Sequence, residues 1–273
     1  MTWRFFIGNT QCDALPPDSR GMAYGDGLFE TMRVHRGDVP WWDAHWSRLV
    51  RGAARLQLRL PDAAFVRNQA SQLVANEDSI LKLIVTRGAG QRGYSPALHA
   101  EPNWLLSQYP LPPIPLENGL ALRWCDTRLA IQPALAGIKH CNRLEQVMAS
   151  GEWQDDAIDE GLMFDTEGFA VCATSANLFV SREGCWMTPL IDRCGVAGVC
   201  RAWCMVELDA IEMRLTRREV ESADEIFLCN AVRGILPVAR LDGLQWSWQP
   251  RVAELQARLA EVHPAFVRQR EVS

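Results

Sequence analysis

Lysine is almost absent from this 273-residue sequence, which contains only Lys82 and Lys139 among its 28 basic residues. The other 26 are arginines, whose guanidinium stays protonated and is not nucleophilic near neutral pH. A reaction that needs a deprotonated amine therefore has two candidates. Lys82 lies in the apolar run Ile80–Val85, which predicts a strand, whereas Lys139 lies in a loop-like segment before a helix. The placement of Lys139 is the strongest indication of function in the sequence.

Other absences narrow the class of protein. No stretch approaches 18 uninterrupted apolar residues, so we expect no membrane-spanning helix. The first residues lack the features of a signal peptide, which predicts a cytoplasmic protein. The formal net charge of -5 and the lack of a basic run argue against a nucleic-acid-binding protein.

Motifs for metal binding, hydrolysis and dinucleotide binding are also missing or incomplete. The nine cysteines form no CxxC pair, the five histidines have no metal-ligand spacing, and neither G-x-S-x-G nor H-E-x-x-H occurs. We therefore expect no metal. Cys200 and Cys204 are four residues apart on a predicted helix and could face one ligand, although such pairs are more often buried core. Gly88–Gly93 matches G-x-G-x-x-G, but Pro96 follows where a dinucleotide fold needs a helix.

The proline-rich segment 109–115 predicts an extended linker between two domains, 1–108 and 116–273. In the first half, apolar runs predict strands at Trp3–Ile7, Leu28–Val34 and Ile80–Thr86. Asp43 is expected to cap a helix that runs to Arg59, and Pro61 is expected at the start of another helix. The second half is predicted to contain a helix after Lys139, strands at 162–165, 169–173, 177–180 and 225–229, and helices at 198–211 and 251–262. Each half is therefore of the α+β class.

Three segments carry a more specific pattern: Tyr24–Thr31, His45–Leu49 and Gly137–Gln146. With them, the sequence resembles, nearly from end to end, the fold-type-IV pyridoxal-phosphate enzymes, which include branched-chain and D-amino-acid aminotransferases. Within this family, Arg87–Ser95 and Lys139–Val147 are most similar to the aminodeoxychorismate lyases. The resemblance implies a two-domain α+β fold, with a smaller N-terminal α/β domain and a larger C-terminal domain of mixed strands and helices that binds pyridoxal 5'-phosphate.

The resemblance also implies the cofactor-binding residues. Lys139 matches the lysine that links covalently to the cofactor aldehyde and acts as the catalytic base. Arg48 matches a residue that binds the cofactor phosphate through its planar fork. The backbone amides of Val199 and Cys200 match the helix N-terminus that meets the same phosphate. Asn230, after a predicted strand, matches a position close to the cofactor.

One position departs from the family pattern. In the family, a glutamate five residues before the Asn-Leu-Phe motif contacts the pyridine nitrogen of the cofactor and keeps it protonated. Here the motif Asn177–Phe179 is intact, but the matching residue is Cys172. A neutral thiol supplies no charge, so the cofactor is expected to be a poorer electron sink. We hypothesise that an elimination that forms an aromatic ring tolerates this loss better than transamination does.

Substrate contacts and partners follow from the same resemblance. Arg92 and Tyr94 match positions that bind a carboxylate in the D-amino-acid relatives, and Phe29 matches an aromatic wall of that pocket. Family members pair as homodimers, so a homodimer is implied. The expected ligand is a small-molecule substrate, and neither nucleic acid nor a membrane is an expected partner.

The activity implied for this chain is the conversion of 4-amino-4-deoxychorismate to 4-aminobenzoate and pyruvate in folate biosynthesis. Two alternatives stay open. One is an aminotransferase that acts on D- or branched-chain amino acids, against which Cys172 counts. The other is a pyridoxal-phosphate-binding homologue without turnover, which Cys172 favours and which the intact Lys139 and Arg48 oppose.

Overall fold

The computed structural model describes residues 2–74, 77–90, 93–96, 99–112, 119–154, 157–247 and 249–267. The chain divides into two compact units, of which the first comprises Met1–Pro112 and Ile138–Asn142, and the second comprises Pro113–Gly137 and Arg143–Ser273. The predicted linker 109–115 coincides with the first point of division, although Tyr109 still belongs to a strand and residues 113–115 lie outside the described ranges. The segment Ile138–Asn142, which was predicted to lie in the second domain, belongs to the first unit.

The first unit is built on a five-stranded antiparallel sheet with the strand order β2-β1-β5-β4-β3. The strands are β1 (Thr2–Ile7), β2 (Thr10–Cys12), β3 (Gly27–Val34), β4 (Ser79–Thr86) and β5 (Asn103–Tyr109). The helices are α1 (Arg20–Tyr24), α2 (Trp42–Leu56) and α3 (Ala63–Val74).

Strand β3 explains how this unit separates two chemical environments. Successive side chains of a strand point to opposite faces. Leu28, Glu30 and Met32 are buried on one face, which also contacts helix α2, whereas Phe29 is only half-buried on the other. Gly52 of α2 approaches this buried face so closely that an added Cβ would lie 3.0 Å from the methyl groups of Leu28. Glu30 thus places a carboxylate within the helix–sheet interface, on the same strand face as the apolar Leu28 and Met32.

The helix boundaries in this unit differ from two predictions. Helix α2 begins after Trp41, which has a positive φ of 60°, so Asp43 lies in the first turn and is not the cap. The helix ends at Leu56 and not at Arg59, because Gln57 adopts the left-handed conformation and its N–H bonds back to the last turn. Helix α3 begins two residues after Pro61, and the Asp62 carboxylate accepts a hydrogen bond from the N–H of Phe65 at 2.8 Å.

The second unit contains a ten-stranded mixed sheet with the order β11-β10-β9-β13-β14-β6-β7-β8-β12, to which β15 is added at β14. The strands are β6 (Leu120–Trp124), β7 (Glu160–Phe164), β8 (Phe169–Ala173), β9 (Asn177–Arg182), β10 (Cys185–Pro189), β11 (Ile211–Met213), β12 (Leu215–Thr216), β13 (Glu225–Asn230), β14 (Gly234–Leu241) and β15 (Leu244–Gln245). The helices are α4 (Leu144–Ser150), α5 (Val199–Leu208), α6 (Arg217–Glu221) and α7 (Pro250–Val262), followed by a 3-10 turn at Pro264–Phe266.

Strand β13 lies near the middle of this sheet, between β9 and β14. Its residues Glu225–Cys229 are all buried, as expected for a strand that is covered on both faces. Phe227 stacks on Phe179 of β9 with ring centroids 4.8 Å apart, and helix α5 packs beside the same strand. The position of β13 places its last residues next to the N-terminal half of α5. Within the described part of the chain, every helix is too short or too polar to cross a membrane.

Candidate active site

The segment that carries Lys139 is bound to the outer edge of β3. The N–H of Phe29 donates to the carbonyl of Lys139, and the N–H of Cys141 donates to the carbonyl of Gly27, both at 2.9 Å. Asn142 extends this pairing, since its side-chain amide donates to the carbonyl of Gly25 at 3.1 Å. These bonds hold the backbone on both sides of Lys139, so the position of its Cα is fixed by the first unit.

Both lysines of the chain approach the same aromatic ring. The Nζ atom of Lys139 lies 4.3 Å from the centroid of the Phe29 ring, and the Nζ of Lys82 lies 5.4 Å from it. Lys82 reaches the ring from β4, where it pairs with Thr31. An ammonium over the face of an aromatic ring is stabilised by the ring quadrupole. The sequence predicted an ordinary strand position for Lys82 and gave no sign that it would lie beside Phe29.

Arg48 belongs to a buried ion-pair cluster below helix α2. Its Nε donates to Oε1 of Glu30 at 2.8 Å, and its Nη2 donates to Oε2 of the same carboxylate. His45, one turn earlier on α2, places Nδ1 at 2.7 Å from Oε2 of Glu30. The Nε and Nη2 groups of the guanidinium are therefore committed to Glu30.

The electrostatics of this cluster fix its protonation. Burial disfavours the carboxylate of Glu30, but the charge and hydrogen bonds of Arg48 outweigh it and lower the pKa of Glu30 to about 2. Burial lowers the pKa of His45, and the charges of Arg48 and Lys139 add to this effect against the opposing contribution of Glu30. His45 is therefore neutral and donates from Nδ1 to Glu30. Its buried Nε2 has no hydrogen-bond partner among the described residues.

In the second unit, the N-terminus of helix α5 presents unsatisfied donors. Gly198 is the N-cap and offers no capping side chain, and the N–H groups of Val199 and Cys200 have no acceptor in the described part of the chain. The first N–H groups of a helix and the helix dipole together favour an anion. An added Cβ at Gly198 would lie 2.1 Å from Oδ1 of Asn177, whose Nδ2 donates to the carbonyl of Val196 at 2.9 Å. Only glycine fits between this anchored amide and the helix start.

Cys172 is a buried thiol on β8. It pairs with Met163 across the β7–β8 ladder and packs in an apolar cluster that includes Cys125 and Cys194. Burial raises the pKa of Cys172 to about 12, with a smaller contribution from Cys194. The thiol is therefore neutral at physiological pH and supplies no negative charge at this position.

A buried carboxylate that the sequence did not indicate holds the loop between β8 and β9. Glu160 accepts hydrogen bonds from the N–H groups of Gly161 and Thr174, at 3.0 and 3.2 Å, and from the hydroxyls of Thr174 and Ser175. The carbonyl of Ser175 in turn accepts a long hydrogen bond of 3.5 Å from Asn230. The sequence contained no signal for this group, because Thr174 and Ser175 are fourteen and fifteen residues from Glu160 and meet it only through the hairpin.

Asn230 has a structural role that its position after β13 did not predict. Its side-chain Oδ1 accepts the N–H groups of Val232 at 3.0 Å and Arg233 at 2.8 Å. The amide thereby closes the turn into β14, so its contacts within the second unit are with the protein backbone.

The predicted substrate residues are distributed unevenly. Phe29 lies beside Lys139, as described above. Tyr94 is 87% exposed, and its ring lies 5.5 Å from that of Tyr24 on the surface of the first unit. Arg92 lies outside the described residues. Of the two substrate residues that the structure describes, Phe29 lies beside Lys139.

Comparisons with known proteins agree on the family. The family profile described as amino-transferase class IV matches residues 27–241. An aminodeoxychorismate lyase of Vibrio harveyi is 31% identical over 264 residues, which covers 93% of this chain and 97% of that protein. A D-alanine aminotransferase of Bacillus licheniformis is 26% identical and covers 84% of each chain.

Solved structures give the same result. The 4-amino-4-deoxychorismate lyase of Pseudomonas aeruginosa superposes with a TM-score of 0.88 at 39% identity, covering 94% of this chain and 98% of that one. A branched-chain amino acid aminotransferase of Escherichia coli, at 16% identity and a TM-score of 0.82, shares the fold. The predicted α+β, fold-type-IV architecture is confirmed. The chain belongs to the class IV aminotransferase family, whose members are enzymes that depend on pyridoxal 5'-phosphate.

Proposed function

We propose that this protein is an aminodeoxychorismate lyase, which converts 4-amino-4-deoxychorismate to 4-aminobenzoate and pyruvate in folate biosynthesis. The observation that carries the proposal is the placement of Lys139, whose backbone is fixed to β3 and whose amine lies over Phe29. Similarity to lyases from two organisms over more than nine-tenths of the chain supports the same reaction.

Residues in each unit, taken by itself, suit a part of the cofactor. The unsatisfied N–H groups of Val199 and Cys200 suit its phosphate, and Lys139 is the amine that would form the covalent link to its aldehyde. The family motif assigns Arg48 to the phosphate, and Glu30 holds its guanidinium in place. When bound, the cofactor supplies an electron-withdrawing ring that stabilises negative charge on the substrate carbon.

Lys139 would perform the proton transfers. In the overall reaction the substrate loses the proton at C4, the C3–O bond breaks, and the ring becomes aromatic. The leaving enolpyruvate takes up one proton at carbon and becomes pyruvate, so atoms and charge balance without an oxidant. The Nζ atom of Lys139 accepts the C4 proton as a general base. The ring of Phe29 limits where this amine can move.

The neutral thiol of Cys172 favours elimination over transamination. A carboxylate at this position would keep the pyridine nitrogen protonated, whereas a thiol with a pKa raised to about 12 cannot. Formation of an aromatic ring supplies driving force that amino-group transfer lacks. This observation counts against a D-amino-acid or branched-chain aminotransferase. Such an aminotransferase stays the second candidate, because the relatives include one named as a putative branched-chain-amino-acid aminotransferase and one named as a D-alanine aminotransferase. No finding supports a homologue without turnover.

The two lysines allow a matched test. The purified enzyme with added cofactor is expected to release pyruvate from 4-amino-4-deoxychorismate and to show a visible or near-ultraviolet band. Lys139→Ala should abolish both, whereas Lys82→Ala, which removes an amine beside the same ring, should keep the band. A protein that converts its cofactor to the amine form with an amino donor, and releases no pyruvate from the chorismate, would be an aminotransferase.

Homodimer formation and a cytoplasmic location belong to the same proposal. Helix α4 exposes the apolar side chains of Leu144, Val147 and Met148, an arrangement that suits burial against a second copy. Sedimentation of the wild type and of Val147→Glu tests the pairing, since a charge in that interface should shift a dimer toward monomer. A wild-type protein that sediments as a monomer would contradict it.

A further inference from the structure

Three cysteines of the second unit form a buried cluster whose side chains the proposed mechanism does not use. Cys200 and Cys204 lie one turn apart on α5, and Cys229 lies near the end of β13. Their three sulfur atoms lie within 4.8 Å of one another, and all three residues are fully buried. The sequence predicted no metal from the missing CxxC and histidine spacings. It did not indicate Cys229, which is distant along the chain and meets the helical pair through the packing of β13 against α5.

The arrangement of the sulfur atoms suits a three-coordinate ion. An ion with metal–sulfur bonds of about 2.3 Å and three ligands in one plane needs sulfur atoms about 4 Å apart. All three sulfur–sulfur distances are within 4.8 Å, so small side-chain adjustments suffice to reach this spacing.

The donor set indicates which ion would bind. The group contains three thiols, and the described residues add no histidine or carboxylate to it. Thiolate ligands select soft ions such as copper(I), whereas zinc(II) in proteins almost always takes four ligands. Three sulfur donors in a dry interior therefore favour copper(I).

A buried arginine follows the first cysteine of the cluster. Arg201 comes directly after Cys200 on α5. Arg201 is itself buried, with Nη2 at 2.6 Å from a carboxylate oxygen of Glu212. Its Nε has no hydrogen-bond partner among the described residues. A fixed guanidinium near the cluster offsets part of the charge of a thiolate-bound ion.

We propose that Cys200, Cys204 and Cys229 bind one copper(I) ion. The ion would join the first turn of α5 to the end of β13, and binding would release thiol protons to solvent without a change of oxidation state. Bound metal stabilises the folded protein, because the unfolded chain holds no preformed site. The site concerns the sulfur atoms and is separate from the backbone amides that are assigned to the cofactor phosphate.

The test is an anaerobic titration of the full-length holoenzyme with copper(I) in competition with a chromophoric copper(I) chelator. A Cys12→Ser, Cys185→Ser background removes two solvent-accessible thiols. We expect one tightly held equivalent, a higher unfolding temperature, and three sulfur neighbours by X-ray absorption. Cys204→Ala should lower the affinity at least tenfold. Cys125→Ala, which removes a buried thiol outside the cluster, should leave it unchanged.

Three results would overturn the proposal. They are no competition with the chelator, equal affinity in Cys204→Ala and its parent, and displacement of copper(I) by zinc(II) in direct competition. The sulfur count is measured on a protein with the cluster intact, so it stands even where Cys204→Ala folds poorly. Metal content is read independently of pyruvate release, and a failure here is therefore distinguishable from a failure of the lyase proposal.

Discussion

Lys139 and Phe29 are joined twice, once through the backbone and once through their side chains. The N–H of Phe29 donates to the carbonyl of Lys139 at 2.9 Å, and the Lys139 Nζ lies 4.3 Å from the centroid of the Phe29 ring. Lys82 lies near the same ring, but at 5.4 Å and from within a strand that is paired on both sides. Lys139 therefore differs from Lys82 in that its segment is bonded to the outer edge of β3.

Replacing Phe29 tests the side-chain half of this relationship. Phe29→Leu keeps the backbone hydrogen bond and removes a cation–π contact worth about 0.5–2 kcal/mol. We expect kcat/KM for pyruvate release to fall by about 2- to 30-fold, since about 1.4 kcal/mol corresponds to a factor of ten. Phe29→Tyr keeps the ring and serves as the control. Wild-type kcat/KM in Phe29→Leu would show that the ring does not restrain the amine.

The Glu30 cluster predicts loss of stability in acid. The pKa of Glu30 is about 2 in the folded protein, below its usual 4.5, so its contribution is present above pH 4.5 and is lost as pH falls toward 2. The pKa of His45 is also lowered, so the unfolded chain takes up its proton first and acid again favours unfolding. Thermal unfolding at a series of pH values should show a steep decline below about pH 6.5.

Glu30→Gln isolates the carboxylate in that decline. Removing one partner of a buried ion pair costs about 3–5 kcal/mol, because the buried charge of Arg48 loses its carboxylate partner. The variant should be less stable at pH 7, and its stability should depend less on pH between 5 and 2, in chemical denaturation. Glu254 is exposed, so Glu254→Gln provides a matched surface control that should behave as the wild type. An unchanged slope in Glu30→Gln would contradict the assignment.

Gly198 is expected to be intolerant of a methyl group. Gly198→Ala would place Cβ 2.1 Å from Oδ1 of Asn177, and we expect a loss of about 1–3 kcal/mol in the free energy of unfolding. Cofactor affinity should fall as well, because the helix start moves. Gly243→Ala, where an added Cβ meets no atom within 4 Å, is the control. If the steric cause is right, Asn177→Ala should relieve part of the effect in the double variant.

Cys172→Glu tests the electronic account of the reaction. Under the proposed function, an acid at position 172 should raise the rate of the transamination half-reaction more than the rate of pyruvate release. Cys172→Gln has nearly the same size without the charge and should raise neither. The buried, apolar surroundings of Cys172 should make the Glu variant the less stable of the two. A gain in lyase turnover of several orders of magnitude in Cys172→Glu would contradict this account, because the native thiol would then severely limit the lyase reaction.

Local patterns of the sequence were sufficient for much of the fold. The apolar runs at Leu28–Val34 and Ile80–Thr86 correspond to β3 and β4, because alternation and strand propensity are local properties. The start of α2 was predicted wrongly at Asp43. The left-handed conformation of Trp41 sets that boundary, and residue preferences make such a conformation rare for a bulky side chain.

The residues of the candidate site that belong to family motifs could be predicted from the sequence. The contacts between distant segments could not. Lys139, Arg48 and the start of α5 follow from motifs, and their specific roles stay predictions. Three features depend on contacts between distant parts of the chain. They are the pairing of the Lys139 segment with β3, the hydrogen bonds of Glu160 to the Thr174–Ser175 loop, and the closeness of Cys229 to Cys204. One sequence contains no signal for such contacts, because they depend on strand order and on helix packing.

The most direct test of the central claim is reductive trapping of the cofactor followed by peptide mapping. Borohydride fixes the covalent link between a lysine amine and the cofactor aldehyde. Trypsin cleavage at Arg128 and Arg143 then leaves Lys139 in the peptide 129–143, whereas Lys82 falls within residues 68–87. The account predicts one cofactor adduct on the peptide 129–143 and none on residues 68–87. An adduct on Lys82, or no adduct on either lysine, would contradict it.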